Sequence, residues 1–268
     1  KDPVLGNVCA PEEGDPEDPQ SACAIRKKKT KALRQAMAYA LDMNTYIDKM
    51  RNGRGLRLNS IVPIPIAGSE KDTGAQWYPY DLAKAKEKMM EAGYPGGKGL
   101  PPIKVEYAGT SSGSQQDGEF YRRAFAAIGI ELRPQYQTFS AYLKKTDSGN
   151  FQLTSSAWAA DYPDAENFFQ LLYGPNGPPG PNHGAYLNKR YDELYLKSKY
   201  MANGPERYAV FREMSDILKE EVPFLLAVSP ISFGLYQNWL GNMKRHMMLD
   251  APFQYLNIDT EMKQKGLK

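Results

Sequence analysis

The chain has few of the histidines and cysteines that bind transition metals. His183 and His246 are its two histidines, and neither lies near a cysteine or the other histidine at the spacing of a transition-metal site. The glycine patterns that cradle nucleotide phosphates, GxxxxGK(S/T) and GxGxxG, are also absent. With two histidines in loop-like surroundings, a Ser-His-Asp triad is a remote alternative. These absences argue against an enzyme, and we expect a protein that needs no cofactor.

The chain also lacks a long apolar run and a strong charge of one sign. No stretch approaches the roughly 20 apolar residues of a membrane-spanning helix, and Lys1–Gly6 does not resemble the start of a signal peptide. Residue 1 is therefore expected to be a mature, processed or cut end. The net charge is +3 with both signs interspersed, so no nucleic-acid partner is expected.

The chain has two cysteines, Cys9 and Cys23. The segment between them is acidic, polar and rich in proline, so it cannot bury enough apolar area to order itself. A disulfide between the two would close this segment and would place the protein in an oxidising compartment. The alternative is two unrelated thiols in a reducing cell. We favour the disulfide because of the spacing and the character of the loop.

Hydrophobic periodicity predicts an α/β protein. A strand over 103–108, a helix over 116–128 and a strand over 130–136 follow one another, which is a βαβ unit with parallel strands. Asp81 is expected to cap a helix that ends at Gly93. The other predicted helices are 31–50, 139–146, one that begins near Asp164, 189–201 and 205–221, and the other predicted strands are 151–158, 224–235 and 253–256.

A cluster of acids and aromatics, Trp158–Phe168, follows the predicted strand 151–158 and precedes a helix. In open α/β sheets, ligands bind at this end of a strand. Asp164 is expected to cap the helix and Glu166 to complement its dipole. Asp161 lies too far ahead of the helix for that role. Its carboxylate is expected either to receive a ligand ammonium beside the apolar wall of Trp158, or to pair with a Lys or Arg of this chain.

Several motifs, in order along residues 30–240, resemble family 5 of the bacterial extracellular solute-binding proteins. Lys31–Asp42 is similar to a helix that the family writes LRQAxxxAxD, and Trp158–Phe168 is similar to WxADYPDxENF. The remaining matches are Asn52–Gly55 with Pro63–Pro65, Tyr80–Gly97, Tyr191–Leu194, Pro205–Arg207 and Glu220–Pro223.

The resemblance implies the α/β C-terminal lobe of a type II (cluster C) periplasmic binding protein. It divides the chain into a connection with a Cys-bounded insertion at 1–24, a ligand-binding lobe at 25–245, and a segment at 246–268 that returns toward the hinge. Family members are much longer, so the N-terminal lobe is missing. The chain is then a fragment, or one piece of a receptor made of two chains.

The resemblance also implies a function. We expect an extracytoplasmic receptor of an ABC importer, secreted or anchored through a missing N-terminus, that closes two lobes on a peptide or similar cationic solute and delivers it to a membrane permease. Asp161 matches the acid that pairs with the α-ammonium of the peptide, and Trp158, Ala159 and Tyr162 are the neighbouring binding positions. The alternative is a lobe-only structural or assembly subunit that does not clamp a ligand.

Overall fold

The computed structural model of the chain describes residues 2–243 and 252–266. Helices alternate with short strands over most of this length. The α-helices are α1 (Ala22–Tyr39), α2 (Met43–Arg51), α3 (Glu70–Thr73), α4 (Leu82–Glu91), α5 (Ser112–Ala126), α6 (Phe139–Asp147), α7 (Glu166–Phe169), α8 (Lys189–Lys199), α9 (Pro205–Glu221) and α10 (Thr260–Gly266). The strands are β1 (Gly55–Arg57), β2 (Ile103–Ala108), β3 (Leu132–Gln137), β4 (Leu153–Ser155), β5 (Val228–Pro230), β6 (Leu240–Gly241) and β7 (Asn257–Ile258).

A three-stranded parallel sheet, in the order β3-β2-β4, carries the candidate site. β2 pairs with β3 from Ile103 opposite Leu132 to Ala108 opposite Gln137, and with β4 from Val105 opposite Leu153. The predicted βαβ unit is confirmed. β2 departs from simple alternation, because Glu106 is 2% exposed. Its carboxylate accepts hydrogen bonds from Lys145 Nζ at 2.7 Å and Gln137 Nε2 at 2.9 Å, which compensate the burial of the charge.

The predicted helix 31–50 is two helices in the structure. α1 begins earlier, at Ala22, because the Ser21 side chain accepts a hydrogen bond from Ala24 N at 3.0 Å. It ends at Tyr39, and Asp42 starts α2 by accepting from Thr45 N at 3.1 Å. The apolar spacing continues through the break, which explains why periodicity alone missed it. The predicted cap at Asp81 is confirmed, with Lys84 N as its donor at 3.0 Å.

Two of the apolar cores pack different sets of helices. One packs α1 and α4 against the sheet and α5, with Leu33, Met37, Met89, Ile103 and Phe125 at its centre. The other joins α7, α8 and α9 to the loop at 61–66, and includes Phe168, Phe169, Leu172, Tyr191, Leu194 and Phe211. The rings of Phe169 and Phe211 stack at 4.9 Å between their centroids. The second core therefore fixes α7, the helix that follows the candidate ligand loop.

Three predicted strands are shorter or absent. β4 ends at Ser155 rather than 158; its last pair with β2 is Ser155 opposite Tyr107, one residue before β2 ends at Ala108. Within 224–235 only Val228–Pro230 is a strand. The strand predicted at 253–256 is wrong: Pro252–Tyr255 is a 3-10 helix, and the strand follows it at Asn257–Ile258. Apolar runs this short do not distinguish a strand from other structure.

The described chain falls into two units, Lys1–Ser229 and Pro230–Lys268. In the second unit, β6 and β7 form an antiparallel pair, with Leu240 opposite Ile258, and Lys263 Nζ lies 5.0 Å from the centre of the Trp239 ring.

The domain limits predicted from the sequence at 24/25 and 245/246 stay predictions. Of the predicted segment 246–268, residues 246–251 and 267–268 lie outside the described residues. No helix in the described ranges is long and apolar enough to cross a bilayer.

The amino-terminal connection is tied to the start of α1. Cys9 and Cys23 are bonded to each other in the structure, with their Cα atoms 5.6 Å apart. Arg26 reaches back to the same segment, where its guanidinium donates to Glu13 Oε1 at 2.6 Å and to the Val8 carbonyl at 2.7 Å. The Glu13 carboxylate also accepts from Ala10 N, and the Arg26 hydrogen bond lowers the pKa of Glu13.

A first prediction concerns this disulfide. The protein, unfolded without a reductant, should show no reactive thiol, and replacing both Cys9 and Cys23 with alanine should lower the free energy of unfolding by about 3 kcal/mol, because the bond closes a loop of sequence separation 14. Thiol labelling with mass detection and chemical denaturation measure the two effects. Two labelled thiols per unreduced chain would contradict the bond.

A second prediction concerns stability at alkaline pH. Burial raises the pKa of Tyr46 to about 12 and also raises the pKa of Tyr107. In the unfolded chain tyrosine ionises near pH 10. Because the folded pKa values are the higher ones, this contribution to stability is complete below about pH 10 and is lost as the pH rises through the folded values. The free energy of unfolding should therefore fall between about pH 10 and about pH 12.

Denaturant unfolding across this range measures the slope. Tyr107→Phe should make the fall with pH shallower, because a ring that is 5% exposed no longer has a proton to lose on unfolding. Tyr200→Phe is the matched control, because Tyr200 is 85% exposed and the substitution removes a phenol that the fold does not bury. Equal slopes for the parent chain and Tyr107→Phe would refute the assignment.

Candidate ligand-binding site

The loop at 156–163 leaves the sheet at the edge where all of its parallel strands end. β2 ends at Ala108, β3 at Gln137 and β4 at Ser155, and the next residue after β2 is bound to the end of β3, since Gly109 N donates to the Gln137 carbonyl at 2.8 Å. The chain that follows each strand therefore starts from one edge. This is the position at which open α/β sheets bind ligands.

One buried amide ties this loop to α7. Asn167 is 0% exposed, and its Oδ1 accepts from Trp158 Nε1 at 2.8 Å and from Asp161 N at 3.1 Å. Its Nδ2 donates to Asp161 Oδ2 at 3.2 Å. The structure thus brings Trp158 and Asp161 together on a common partner that the sequence did not single out. The one signal for Asn167 in the sequence was its place next to the acids of the cluster.

The predicted site residues face solvent. Trp158 is 39% exposed and Tyr162 41%, and Ala159 and Asp161 are also exposed. Among residues 2–243 and 252–266, no Lys or Arg makes an ion pair with Asp161, whose partner there is the Asn167 amide. Asp161 was expected either to receive a ligand ammonium or to pair with a Lys or Arg of this chain. Since the described residues show no such pair, the geometry leaves room for a ligand cation. The ligand-binding role itself stays a prediction.

Glu166 is a second buried anchor of the loop. It is 7% exposed, and its carboxylate accepts hydrogen bonds from the phenols of Tyr162 and Tyr195. Burial, followed by the bond to Glu166, raises the pKa of both tyrosines. Glu166 was predicted to complement a helix dipole, and it does lie in the first turn of α7, but that helix has only four residues. In the structure Glu166 acts mainly as the hydrogen-bond acceptor for the two phenols.

Asp164 holds the end of the loop against α9. Its carboxylate and Arg207 form a bidentate ion pair, with Nη1–Oδ2 at 2.7 Å and Nη2–Oδ1 at 2.9 Å. Arg207 is 4% exposed, and also donates to the Ser198 carbonyl at 2.9 Å and to Asn203 Oδ1 at 2.7 Å. Asp164 was predicted to cap this helix, but the N-cap of α7 is Ala165; Asp164 Oδ1 accepts from the main-chain nitrogen of Glu166, the first residue of α7, at 2.8 Å. The partner lies 43 residues away, where local capping rules cannot reach it.

The same edge offers little for bond-making chemistry. Gly109–Gly113 does match the GxSxG pattern of hydrolase nucleophiles, and it lies between a strand and a helix as that pattern requires. Ser111, however, has ordinary extended dihedrals, φ −67° and ψ 160°, and its Oγ accepts from Ser114 N at 3.2 Å as the cap of α5. No histidine in the described ranges is bonded to it, and those ranges hold no group of three side chains suited to a metal.

A third prediction concerns Asp164. Asp164→Asn should lower the free energy of unfolding by about 3 kcal/mol, because the change leaves the buried Arg207 guanidinium without its counter-charge. The figure lies at the low end for buried pairs, since the Asp164 side chain is 28% exposed. The control is Asp216→Asn, whose pair with Arg212 has side chains 43% and 55% exposed and should cost about 0.5 kcal/mol or less. Similar losses in the two variants would rule out the buried pair as the anchor.

Comparison with known proteins identifies the family. A model described as "Bacterial extracellular solute-binding proteins, family 5 Middle" matches residues 23–180, more than half of the chain. Curated relatives include heme-binding protein A of Haemophilus influenzae, 26% identical over 203 residues, and di/tripeptide-binding protein 3 of Pseudomonas aeruginosa, 27% identical over 227 residues. These matches cover 75% and 82% of this chain but 37% and 40% of the relatives. The chain thus spans about two fifths of their length.

Solved structures agree on the fold. A periplasmic binding protein DppA from Helicobacter pylori, in complex with the peptide STSA, superposes with a TM-score of 0.76 at 25% identity, covering 87% of this chain and 45% of that one. A second solved structure, a peptide-binding protein of a peptide ABC transporter, gives a TM-score of 0.65 at 19% identity, and 92% of its chain is covered. The predicted α/β fold of a type II periplasmic binding protein is confirmed, and the chain belongs to family 5 of the bacterial extracellular solute-binding proteins.

Proposed function

We propose that this chain is the ligand-contacting lobe of an extracytoplasmic receptor for an ABC importer, and that it binds the free amino terminus of a peptide at Asp161. The observation that carries the proposal is the exposed Asp161 carboxylate at the carboxyl edge of the sheet, which has no cationic partner within the described ranges. A solute with an ammonium group supplies the missing charge.

The chemistry of the loop supports an amine rather than an acid as ligand. A carboxylate accepts charge-assisted hydrogen bonds from an ammonium, which are roughly twice as strong as bonds between neutral groups. The Trp158 ring beside it is 39% exposed, so an apolar side chain of the solute can bury area against it. The relatives' names include di- and tripeptide-binding proteins, and the H. pylori structure holds the peptide STSA.

Full affinity requires a second lobe. A good small-molecule site buries most of the ligand surface, whereas this loop lies open at one edge of a sheet. The relatives are more than twice as long as the segment that matches them. We propose that the other lobe comes from further sequence of the same protein or from a separate chain, and that the closed pair delivers solute to a membrane permease. The Cys9–Cys23 bond supports an oxidising, extracytoplasmic location.

A lobe-only structural or assembly subunit is the second candidate. The observation in its favour is a solved chain of similar fold, 92% of which is covered by 75% of this chain, so that chain is of similar extent. At 19% identity that likeness concerns the fold alone. A binding measurement separates the two candidates, because the subunit has no need of a free carboxylate at the edge of the sheet.

A fourth prediction tests the receptor. Trialanine should perturb the NMR signals of the Trp158 indole and the Asp161 amide, with a dissociation constant of about 1 mM or weaker because one lobe covers one side of the ligand. Asp161→Asn should weaken this binding about fivefold, the effect of an exposed ion pair worth up to about 1 kcal/mol. In a receptor closed over the peptide the same change should cost about 2–5 kcal/mol.

N-acetyl-trialanine and a second variant provide the controls. The acetylated peptide has no ammonium, so its binding should be nearly the same for the parent chain and for Asp161→Asn. Asp48→Asn removes a carboxylate that is 67% exposed on α2, and trialanine should bind this variant as it binds the parent chain. If the parent chain binds trialanine and its acetylated form equally well, or binds neither, Asp161 is not an amine site.

A further inference from the structure

The hydrogen-bond partners of Asn167 are unusual for a buried residue. Its side chain is 0% exposed, yet three hydrogen bonds join its amide to Trp158 and Asp161, both of which are exposed. Solvent could hydrate the indole N–H and the Asp161 carboxylate if the amide were elsewhere. Trp158 and Asp161 therefore do not need the bonds to Asn167 in order to keep their polar atoms satisfied. What the bonds do is hold two exposed side chains in a fixed arrangement.

The chemistry of the three bonds fixes which way the amide points. The indole Nε1 and the main-chain nitrogen of Asp161 are donors only, so both must face the carbonyl oxygen Oδ1 of Asn167. The amide Nδ2 then faces Asp161 Oδ2 at 3.2 Å, and a carboxylate oxygen is an acceptor. A reversed amide would place donor against donor twice and acceptor against acceptor once. Asparagine is the residue that satisfies all three contacts without adding a charge.

We propose that Asn167 is a positioning residue of the amine site, and this inference rests on the proposed function. Its Nδ2 engages one oxygen of the Asp161 carboxylate, Oδ2. The other oxygen, Oδ1, receives no hydrogen bond from the described residues and is left for the ligand ammonium. The shared Oδ1 of Asn167 sets the Trp158 ring beside that carboxylate. Asn167 thus contacts no ligand and acts through Asp161 and Trp158.

The chain contains a matched control in Asn182. This asparagine is also 0% exposed and also makes three hydrogen bonds with its amide, accepting from Tyr186 N at 3.0 Å and donating to the carbonyls of Tyr173 and Tyr186 at 3.2 Å and 2.9 Å. Those partners belong to the loop at 173–186 and not to the candidate site. A change at Asn182 removes an equally buried and equally bonded amide, so it reproduces a purely structural loss.

The first test exchanges the two partners. Asn167→Asp sets two carboxylates against each other and should lower the melting temperature strongly. The double variant Asp161→Asn with Asn167→Asp restores a donor facing an acceptor, so it should recover at least half of the melting temperature lost in Asn167→Asp. If Asn167→Asp alone does not fold, a double variant that does fold supports the contact equally well. A double variant no more stable than Asn167→Asp would overturn the contact. This exchange needs no ligand.

The second test reads the arrangement directly. In Asn167→Ser the indole hydrogen of Trp158 should exchange with solvent about tenfold faster, the factor that corresponds to losing a hydrogen bond worth about 1.4 kcal/mol. Asn182→Ser should leave that rate unchanged, even with a similar loss of stability. Equal effects of the two variants, or no effect of either, would reduce Asn167 to a structural residue.

Titration with trialanine links positioning to binding. Asn167→Ser should reduce the preference for trialanine over N-acetyl-trialanine, and Asn182→Ser should keep it. If Asp161→Asn abolishes the preference and Asn167→Ser preserves it, the positioning role is wrong and the amine site stands. If the exchange restores stability but Asp161→Asn does not alter trialanine binding, the proposed function is wrong and the Asn167–Asp161 contact stands.

Discussion

The ion pair between Asp164 and Arg207 is the constraint on which the candidate site depends. A guanidinium that is 4% exposed must keep its counter-charge, so the end of the loop cannot leave α9 without exposing or stranding a charge. The chain therefore enters α7 at a fixed place, and the next residues, Glu166 and Asn167, are buried by that entry. These two side chains make the hydrogen bonds that tie Trp158, Asp161 and Tyr162 of the exposed loop to α7.

The buried and the exposed residues of this segment have different roles, which follow from the physical chemistry of burial. Glu166 and Asn167 are polar and buried, and each satisfies its polar atoms with groups from the loop or from α8. Trp158, Asp161 and Tyr162 are exposed, and their polar atoms are the ones that satisfy the buried pair. An exposed carboxylate and an exposed indole thus keep defined positions without being buried themselves. Such preorganisation lowers the entropy lost when a ligand binds.

Rigid support of this kind fits a receptor whose edge works with a second surface. The loop presents a charge and an aromatic face at one edge of a small sheet, and the chain spans about two fifths of the length of its relatives. A site that stays ordered when it is open offers the same groups to each arriving solute. In the receptor that we propose, closure of a second lobe removes water from the ion pair between Asp161 and the ligand ammonium, which strengthens that pair.

The sequence by itself determined the family, the βαβ unit, the cap at Asp81 and the segment that carries the candidate site. Each depends on local spacing, that is, on alternating apolar residues in strands, a capping carboxylate, or motifs in a fixed order. The tertiary structure decided the partners of Asp164 and Glu166, two acids of the cluster. Arg207 lies 43 residues from Asp164 and Tyr195 lies 29 from Glu166, so local rules gave those acids only helix-end roles. The break between α1 and α2, the burial of Glu106 and the role of Asn167 also needed the folded chain, because burial and partners arise only when distant segments pack.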